Sequence, residues 1–229
     1  YPDTMGFGVP WPEAALPRSI PKITYYLHHE AGVPKEWLES HNHNDFYMVI
    51  ANSVAAWLYG AAANNGTLLG IGERTGNTPI EALIIWYVML TGDNSVDLSV
   101  ITEIKEYYER ELGEPIPARQ PFVGQRFNIT QAGIHADGLM KDEEIYNIFD
   151  TTRLLRRPPG VMITDKTGTA GLTLWIERNI GRDLVGTIDK HDPKIVTMEK
   201  EIISEYEHGR VSSMSDKRLQ QRGIQVEAD

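Results

Sequence analysis

Two histidines separated by one residue stand in the segment HNHNDF at residues 41–46. On a β-strand, residues i and i+2 point to the same face, so the imidazoles of His41 and His43 can converge on one ion. On an α-helix the same side chains would diverge by roughly 200°, which suits no shared ligand. The apolar pair Trp37-Leu38 precedes the motif and favours a short strand. The spacing therefore predicts a metal site at the end of a strand, with a pair of surface histidines as the alternative.

A glycine-rich segment, GIGERTGN at residues 70–77, follows the next predicted strand. Asn77 can add an oxygen ligand to the two imidazoles, and the glycines allow close approach of the backbone to a bound group. Imidazole and oxygen ligands suit Zn, Mn, Co or Mg. The glycine spacing, G-x-G-x-x-x-G, misses the dinucleotide-binding fingerprint by one residue, so we do not favour a Rossmann site.

A third candidate is His135, which lies between glycines in the segment QAGIHADGL at residues 131–139. A lone histidine is commonly structural or simply exposed. The flanking glycines favour a presented loop, and loops carry a disproportionate share of functional residues.

The segments DKTGT (165–169) and TGDN (91–94) are similar to phosphate-site motifs of the P-type ATPases, in which an aspartate is phosphorylated. Their order in the chain is the reverse of that family's, and Ala170-Gly171 replaces the expected continuation. The sequence also has no run that could cross a bilayer. We interpret DKTGT as a polar turn before a helix.

Strands and helices alternate in the first part of the chain. The hydrophobic pattern predicts a strand over 37–43, a strand followed by a glycine turn over 65–72, and helices over 17–31, 46–63 and 79–90. Alternation with short links indicates βα units on a parallel sheet. Because three units are too few to close a barrel, we expect the last portion of a larger α/β barrel.

Helical patterns dominate the second part, over residues 95–112, 142–149, 166–180 and 192–208. The polar tail from residue 212 is predicted to be partly disordered. We therefore place a domain boundary near residues 92–95, with 1–93 as βα units of a barrel and 94–229 as a mostly helical subdomain.

Composition narrows the functional class. The 229-residue chain has a formal net charge of −10 and a pI of about 5.2, which argues against a nucleic-acid partner. It has no cysteine, so disulfides and thiolate metal sites are excluded. The composition fits a cytoplasmic enzyme that does not associate with a membrane.

Four segments, in order along the chain, resemble one enzyme family: PDTMGFGVP, HNHNDFYMVIANSVAAWLYGA, NGTLLGIGERTGNTPIEAL and AGIHADGLMKDEEIYNIF. They are similar to the 2-isopropylmalate synthases, homocitrate synthases and Re-type citrate synthases. The resemblance implies a (β/α)8 TIM barrel followed by a helical linker and dimerisation subdomain. It also implies an acyltransferase that joins acetyl-CoA to a 2-oxo acid with a divalent metal and then hydrolyses the thioester.

The resemblance assigns roles to residues that match the family's motifs. His41 and His43 match the metal-binding histidines, and Asn77 matches their associated asparagine. Thr4 matches a threonine that contacts the 2-oxo acid. Glu73 and Arg74 match a motif pair near the substrate and acetyl-CoA, which implies a catalytic role for Glu73 and substrate binding by Arg74. His135 matches a linker histidine that reaches the site of a neighbouring subunit and moves a proton during enolisation, which implies a homodimer.

Two departures from the family pattern matter. The family's aspartate metal ligand and carboxylate-binding arginine lie on the first strand, whereas this chain begins near the sixth, so we expect about half a site. Leu174 stands where the isopropylmalate synthases have a tyrosine.

The 53 residues after residue 176 are too few for the leucine-sensing domain of isopropylmalate synthases, which favours a homocitrate or citrate type. The segments LPRSIPKI and GIHADGL are most similar to Re-type citrate synthases, which implies oxaloacetate as acceptor and citrate as product. Isopropylmalate or homocitrate synthesis is the alternative, and a non-catalytic dimerisation chain is a second one. The metal, the 2-oxo acid, the regulation and the source of strands one to five are left open by the sequence.

Overall fold

The computed structural model describes residues 7–113, 115–180 and 188–227. The chain divides into two compact units: unit 1 is Tyr1–Pro115 with Pro121–Val123, and unit 2 is Ile116–Gln120 with Gly124–Asp229. The assignment of 1–93 and 94–229 to separate domains stays a prediction. Among the described residues, no helix is both long and apolar enough to span a membrane.

Unit 1 alternates helices with short strands. Its elements are α1 (Ile20–His29), β1 (Glu39–His41), α2 (Val49–Leu58), β2 (Ala63–Asn65), α3 (Ile80–Thr91) and α4 (Val100–Tyr107), which continues as a π-helical turn over Tyr108–Leu112. β1 and β2 are parallel, with Glu39 opposite Ala63 and His41 opposite Asn65. This parallel βαβ unit confirms the predicted α/β class.

The core of unit 1 lies where α1 and α2 pack beside the start of β1. It consists of Ile20, Leu38, Ala55, Ala56 and Ala61. The hydroxyl of Ser19 caps α1 by accepting a hydrogen bond from the backbone N–H of Lys22 at 3.2 Å. α3 ends at Gly92, whose φ of 70° stops the helix.

Residues 65–72, which are predicted to form a strand followed by a glycine turn, contain only the last residue of the observed strand. The strand is Ala63–Asn65, and Leu68–Gly70 forms a 3-10 turn instead. Leu69 and Gly70 have φ values of 59° and 69°, which extended backbone does not adopt. The turn brings the loop that follows back towards the end of β1.

Unit 2 is mostly helical, as predicted. Its elements are β3 (Ile129–Thr130), α5 (Gly133–Lys141), α6 (Thr151–Leu155), β4 (Gly160–Val161), α7 (Gly168–Asn179), α8 (Pro193–Glu207) and α9 (Asp216–Glu227). β3 and β4 are parallel. The predicted helix over 142–149 is a single 3-10 turn at Glu143–Ile145.

The core of unit 2 surrounds α7, which packs against α5, α8 and α9. Buried side chains on α7 include Leu172, Trp175 and Ile176. The polar tail contributes Met214 and Leu219 to this core, and Leu219 is only 1% exposed. The predicted disorder of the tail is therefore wrong for Asp216–Glu227, because these two apolar residues anchor it.

The DKTGT segment forms the turn that leads into α7. Thr167 accepts a hydrogen bond from the backbone N–H of Thr164 at 2.8 Å and donates to the carbonyl of Met162 at 3.1 Å. Its hydroxyl is thus held within the turn, in agreement with the interpretation as a polar turn.

Candidate functional site

The imidazoles of His41 and His43 converge at the end of β1. Their Nε2 atoms lie 3.1 Å apart, and the rings are edge to face. His41 is the last residue of β1, and His43 continues the extended chain through a backbone bridge to Asn77. The two-residue spacing therefore places both side chains on one face, as strand geometry predicts.

Asn77 completes a group of three polar side chains. Its Nδ2 lies 3.3 Å from the Nε2 atom of each histidine. His43 and Asn77 are 5% and 7% exposed, so these two side chains contact little solvent. The amide nitrogen of Asn77, rather than its oxygen, faces the rings, so an oxygen ligand from this residue requires the amide to turn over.

The separation of the two imidazoles fits a shared metal ion. Two nitrogen ligands about 2.1 Å from one ion lie about 3.0 Å apart when they subtend a right angle. No group of three or more His, Cys, Asp or Glu side chains that could hold a metal occurs in the described part of the chain. These residues thus offer two nitrogen ligands and an amide, and any further oxygen ligands must come from elsewhere.

Hydrogen bonds tie the loop after β2 to the segment after His43. The backbone N–H of Asn44 donates to the carbonyl of Gly76 at 2.9 Å. Arg74 donates from Nε and Nη2 to the carboxylate of Asp45 at 3.0 and 3.3 Å. The guanidinium hydrogen bond lowers the pKa of Asp45 below its ordinary value. Arg74 is therefore engaged in an ion pair, and Glu73 beside it is exposed.

Glu81 is a buried acid that the sequence analysis missed. It is 4% exposed in the first turn of α3, and burial raises the pKa of its carboxyl. Its Oε2 accepts a hydrogen bond from the backbone N–H of Leu69 at 3.0 Å. The bond holds the left-handed turn at Leu69, which begins the loop to Asn77. The sequence feature that could have identified Glu81 is its position as the single acidic residue in the apolar run PIEALIIWYVML.

His135 lies in unit 2, on the first turn of α5. Its Nε2 is 2.9 Å from the hydroxyl of Tyr146, and its Nδ1 is 3.2 Å from the hydroxyl of Thr130. The sequence analysis missed both partners, because the three residues meet only through folding. The neighbouring Asp137 does not orient His135. The carboxylate of Asp137 pairs with Lys141 and Lys190 instead, and these contacts lower the pKa of Asp137 to about 2.

Tyr146 also lines an open groove in unit 2. The groove has a volume of about 430 Å³, within the usual range for small-molecule sites. Its other polar walls are formed by Arg119, Asn128, Gln131 and Asn147. Tyr146 thus contacts His135 and also lines a space that a small polar molecule can enter.

Thr4 lies outside the described residues. Leu174 is 2% exposed within α7, where it packs in the core of unit 2 and offers no polar group.

Comparison with known proteins identifies relatives of the chain. Residues 2–107 match the HMGL-like family model. The chain is 51% identical over 219 residues to a citrate (Re)-synthase from Syntrophus aciditrophicus, which covers 95% of this chain and 35% of that protein. It is 44% identical over 219 residues to the citrate (Re)-synthase of Clostridium kluyveri, covering 95% and 48% respectively.

A 2-isopropylmalate synthase from Acetivibrio thermocellus is 31% identical over 188 residues, which covers 80% of this chain and 35% of that protein. The chain thus spans between about a third and a half of the length of these relatives. The predicted resemblance is confirmed, because the HMGL-like family model matches residues 2–107 and the chain is similar to citrate (Re)-synthases over 95% of its length.

Proposed function

We propose that this chain forms part of a metal-dependent acyltransferase that condenses acetyl-CoA with a 2-oxo acid and hydrolyses the resulting thioester. Oxaloacetate is the proposed acceptor and citrate the product. The observation that carries the proposal is the meeting of the His41 and His43 Nε2 atoms at 3.1 Å, beside Asn77. The identity to two citrate (Re)-synthases supports the same reaction.

His41 and His43, with Asn77 beside them, would hold the divalent ion, which can be Mn, Zn, Co or Mg. Bound there, the ion would polarise the ketone of the 2-oxo acid as a Lewis acid. Arg74 and Glu73 lie on the loop that ends at Asn77 and would contact the substrates. Thr4 is assigned to the 2-oxo acid by its motif alone.

His135 is the proposed proton-transfer residue. A base removes a proton from the methyl group of acetyl-CoA, and that carbon bonds to the ketone carbon. The ketone oxygen receives a proton, and water then cleaves the thioester to release the CoA thiol. An imidazole can act as both acceptor and donor of a proton in general acid–base catalysis. The Tyr146 hydroxyl, 2.9 Å from Nε2, is placed to exchange that proton with the ring.

The proposed architecture is the C-terminal portion of a (β/α)8 barrel followed by a helical linker. The parallel β1–β2 pair and the family match over residues 2–107 support the barrel assignment. A homodimer in which His135 serves the neighbouring subunit would bring the two parts of the site together.

Two other functions follow from specific observations. The 31% identity to a 2-isopropylmalate synthase supports condensation with a different 2-oxo acid, and homocitrate synthesis belongs to the same class. The described residues offer only two histidines and an amide as metal ligands, which supports the alternative that the chain dimerises without catalysing a reaction.

The proposal is tested by measuring the release of CoA thiol from acetyl-CoA. The sample is the protein isolated together with any polypeptide that accompanies it. Oxaloacetate, a branched 2-oxo acid and a longer 2-oxo dicarboxylic acid are compared, with and without a chelator. We expect metal-dependent release that is fastest with oxaloacetate and falls about 100-fold or more in His41→Ala. His191→Ala, an exposed histidine in unit 2, is the matched control. Release that persists in His41→Ala would overturn the metal assignment.

A further inference from the structure

Asn65 contacts the side of His41 that faces away from His43. Asn65 is the last residue of β2 and lies opposite His41 in the parallel register. Its Oδ1 is 2.8 Å from Nδ1 of His41, a good hydrogen-bond distance. The two ring nitrogens of His41 therefore have different partners: Asn65 on one side, and His43 with Asn77 on the other.

This contact determines which nitrogen of His41 carries the proton. An amide oxygen can only accept a hydrogen bond, so the Nδ1 of His41 must be the donor. In a neutral imidazole the lone pair is then on Nε2. That Nε2 lies 3.3 Å from Nδ2 of Asn77, an amide nitrogen that can donate to it. The hydrogen bonds on both sides of the ring agree on the same tautomer.

We propose that Asn65 is a positioning residue, which fixes His41 in the Nδ1–H tautomer and keeps its Nε2 lone pair directed towards His43. For metal binding, this inference rests on the proposed function. Partners on the distal nitrogen of a metal-binding histidine orient the ring and make it a better ligand, and their loss costs about 10- to 100-fold in metal affinity. Asn65 is exposed, so we expect an effect near the lower limit.

The tautomer is measured directly in the metal-free 229-residue chain. Nitrogen-15 NMR of labelled histidines at about pH 8, where ordinary imidazoles are neutral, distinguishes Nδ1–H from Nε2–H. His41→Gln identifies the His41 signals. We expect the Nδ1–H form in the wild type, a rise of the Nε2–H form in Asn65→Leu, and restoration in Asn65→Asp, which keeps an oxygen acceptor. Asn94→Leu removes an exposed amide elsewhere in unit 1 and should leave the spectrum of His41 unchanged.

The second readout is affinity for Zn²⁺ or Mn²⁺ alone, measured by calorimetric titration of the same variants. We expect about tenfold weaker binding in Asn65→Leu and recovery in Asn65→Asp. An unchanged His41 tautomer in Asn65→Leu would overturn the inference, because a purely structural role for Asn65 does not select a ring nitrogen. A tautomer change in a chain that binds neither ion would support the positioning role and overturn the metal assignment of the proposed function.

Discussion

Glu81 is the clearest case in which a single residue links stability to the candidate site. Its buried carboxyl holds the backbone of Leu69, and burial raises its pKa above the ordinary value of 4.5. Its Oε1 has no hydrogen-bond partner among the described residues. The folded chain thus keeps a proton on Glu81 at a pH where the unfolded chain has lost it.

The resulting prediction concerns the pH dependence of unfolding. As the pH rises from 4.5 towards the folded-state pKa, the folded chain binds more protons than the unfolded chain, so this group makes the free energy of unfolding fall. Glu81→Gln keeps an oxygen for Leu69 but does not titrate. We expect the variant to gain stability relative to the wild type between pH 4.5 and about pH 7 in urea unfolding.

The control for this prediction is Glu36→Gln, which changes an exposed acid in the same unit. Its stability relative to the wild type should stay constant over the same pH range. A constant difference for Glu81→Gln as well would show that the folded state does not retain the proton on Glu81.

At the residue scale, the sequence predicted the side-chain contacts that depend only on local backbone geometry. The convergence of His41 and His43 follows from the period of a strand, which is a property of two neighbouring residues. The contacts of His135 with Thr130 and Tyr146 required α5 to pack beside β3, and no spacing rule specifies that. The direction of the Asn77 amide likewise depends on the surroundings of its side chain.

At the element scale, the loop between β2 and α3 is shaped around Asn77. A Cβ added at Gly72 would overlap the Oδ1 atom of Asn77. The absence of a side chain at this position therefore lets the amide sit beside the histidines. This is a close-approach role for glycine rather than a requirement for unusual backbone angles.

Gly72→Ala should therefore displace Asn77. We expect it to lower the free energy of unfolding by about 1–3 kcal/mol, as overpacking does, and to weaken Zn²⁺ binding. Gly138→Ala is the control, because its new Cβ would meet only Ile145 Cγ2 at 3.4 Å and it lies within α5. Wild-type stability and Zn²⁺ affinity in Gly72→Ala would contradict this account of the loop.

The α9 helix shows how a polar segment can be ordered by very few apolar residues. Leu219 on α9 and Met214, just before the helix, are buried in the core of unit 2. Asp216 accepts a hydrogen bond from the indole of Trp175 at 3.2 Å. We expect Leu219→Ala to destabilise unit 2 by about 2–5 kcal/mol in thermal or urea unfolding. Lys217→Ala, an exposed neighbour, should change stability by less than about 0.5 kcal/mol.

Helices with a continuous apolar face were predicted well, whereas short or polar elements were not. α1, α2, α7 and α8 lie within their predicted ranges, and α3 extends one residue beyond its range, to Thr91. β2 contains only Ala63–Asn65, and its asparagines carry no strand signal. α9 was missed because its order depends on packing against α7 and α8, which composition does not reveal.

At the scale of the whole molecule, large apolar side chains are exposed in unit 2. Ile134 and Ile148 are 80% and 91% exposed, close in sequence to His135 and Tyr146. If the proposed homodimer forms through this surface, light scattering of the protein should give twice the mass of one chain. The measured mass should fall to that of the monomer in Ile148→Glu. Val211→Glu, at a residue that is 96% exposed between α8 and α9, is the control and should remain dimeric. A dimer that survives Ile148→Glu would place the interface elsewhere.

The sequence predicted the α/β class of the molecule, whereas the predicted division into residues 1–93 and 94–229 stays a prediction. The alternation of strands and helices predicted parallel pairing, and β1 and β2 are parallel. α4 belongs to the compact unit formed by Tyr1–Pro115 with Pro121–Val123. Amphipathic helices belong to whichever core they pack against, and hydrophobic periodicity alone does not identify that core.

The most direct test of the central claim is a crystal of the chain soaked with Zn²⁺ and measured at the zinc absorption edge. The account predicts an anomalous peak about 2.0–2.1 Å from the Nε2 atoms of both His41 and His43, absent from crystals of His41→Ala. A peak at another position, or full occupancy that survives in His41→Ala, would contradict the assignment of these histidines as the metal ligands.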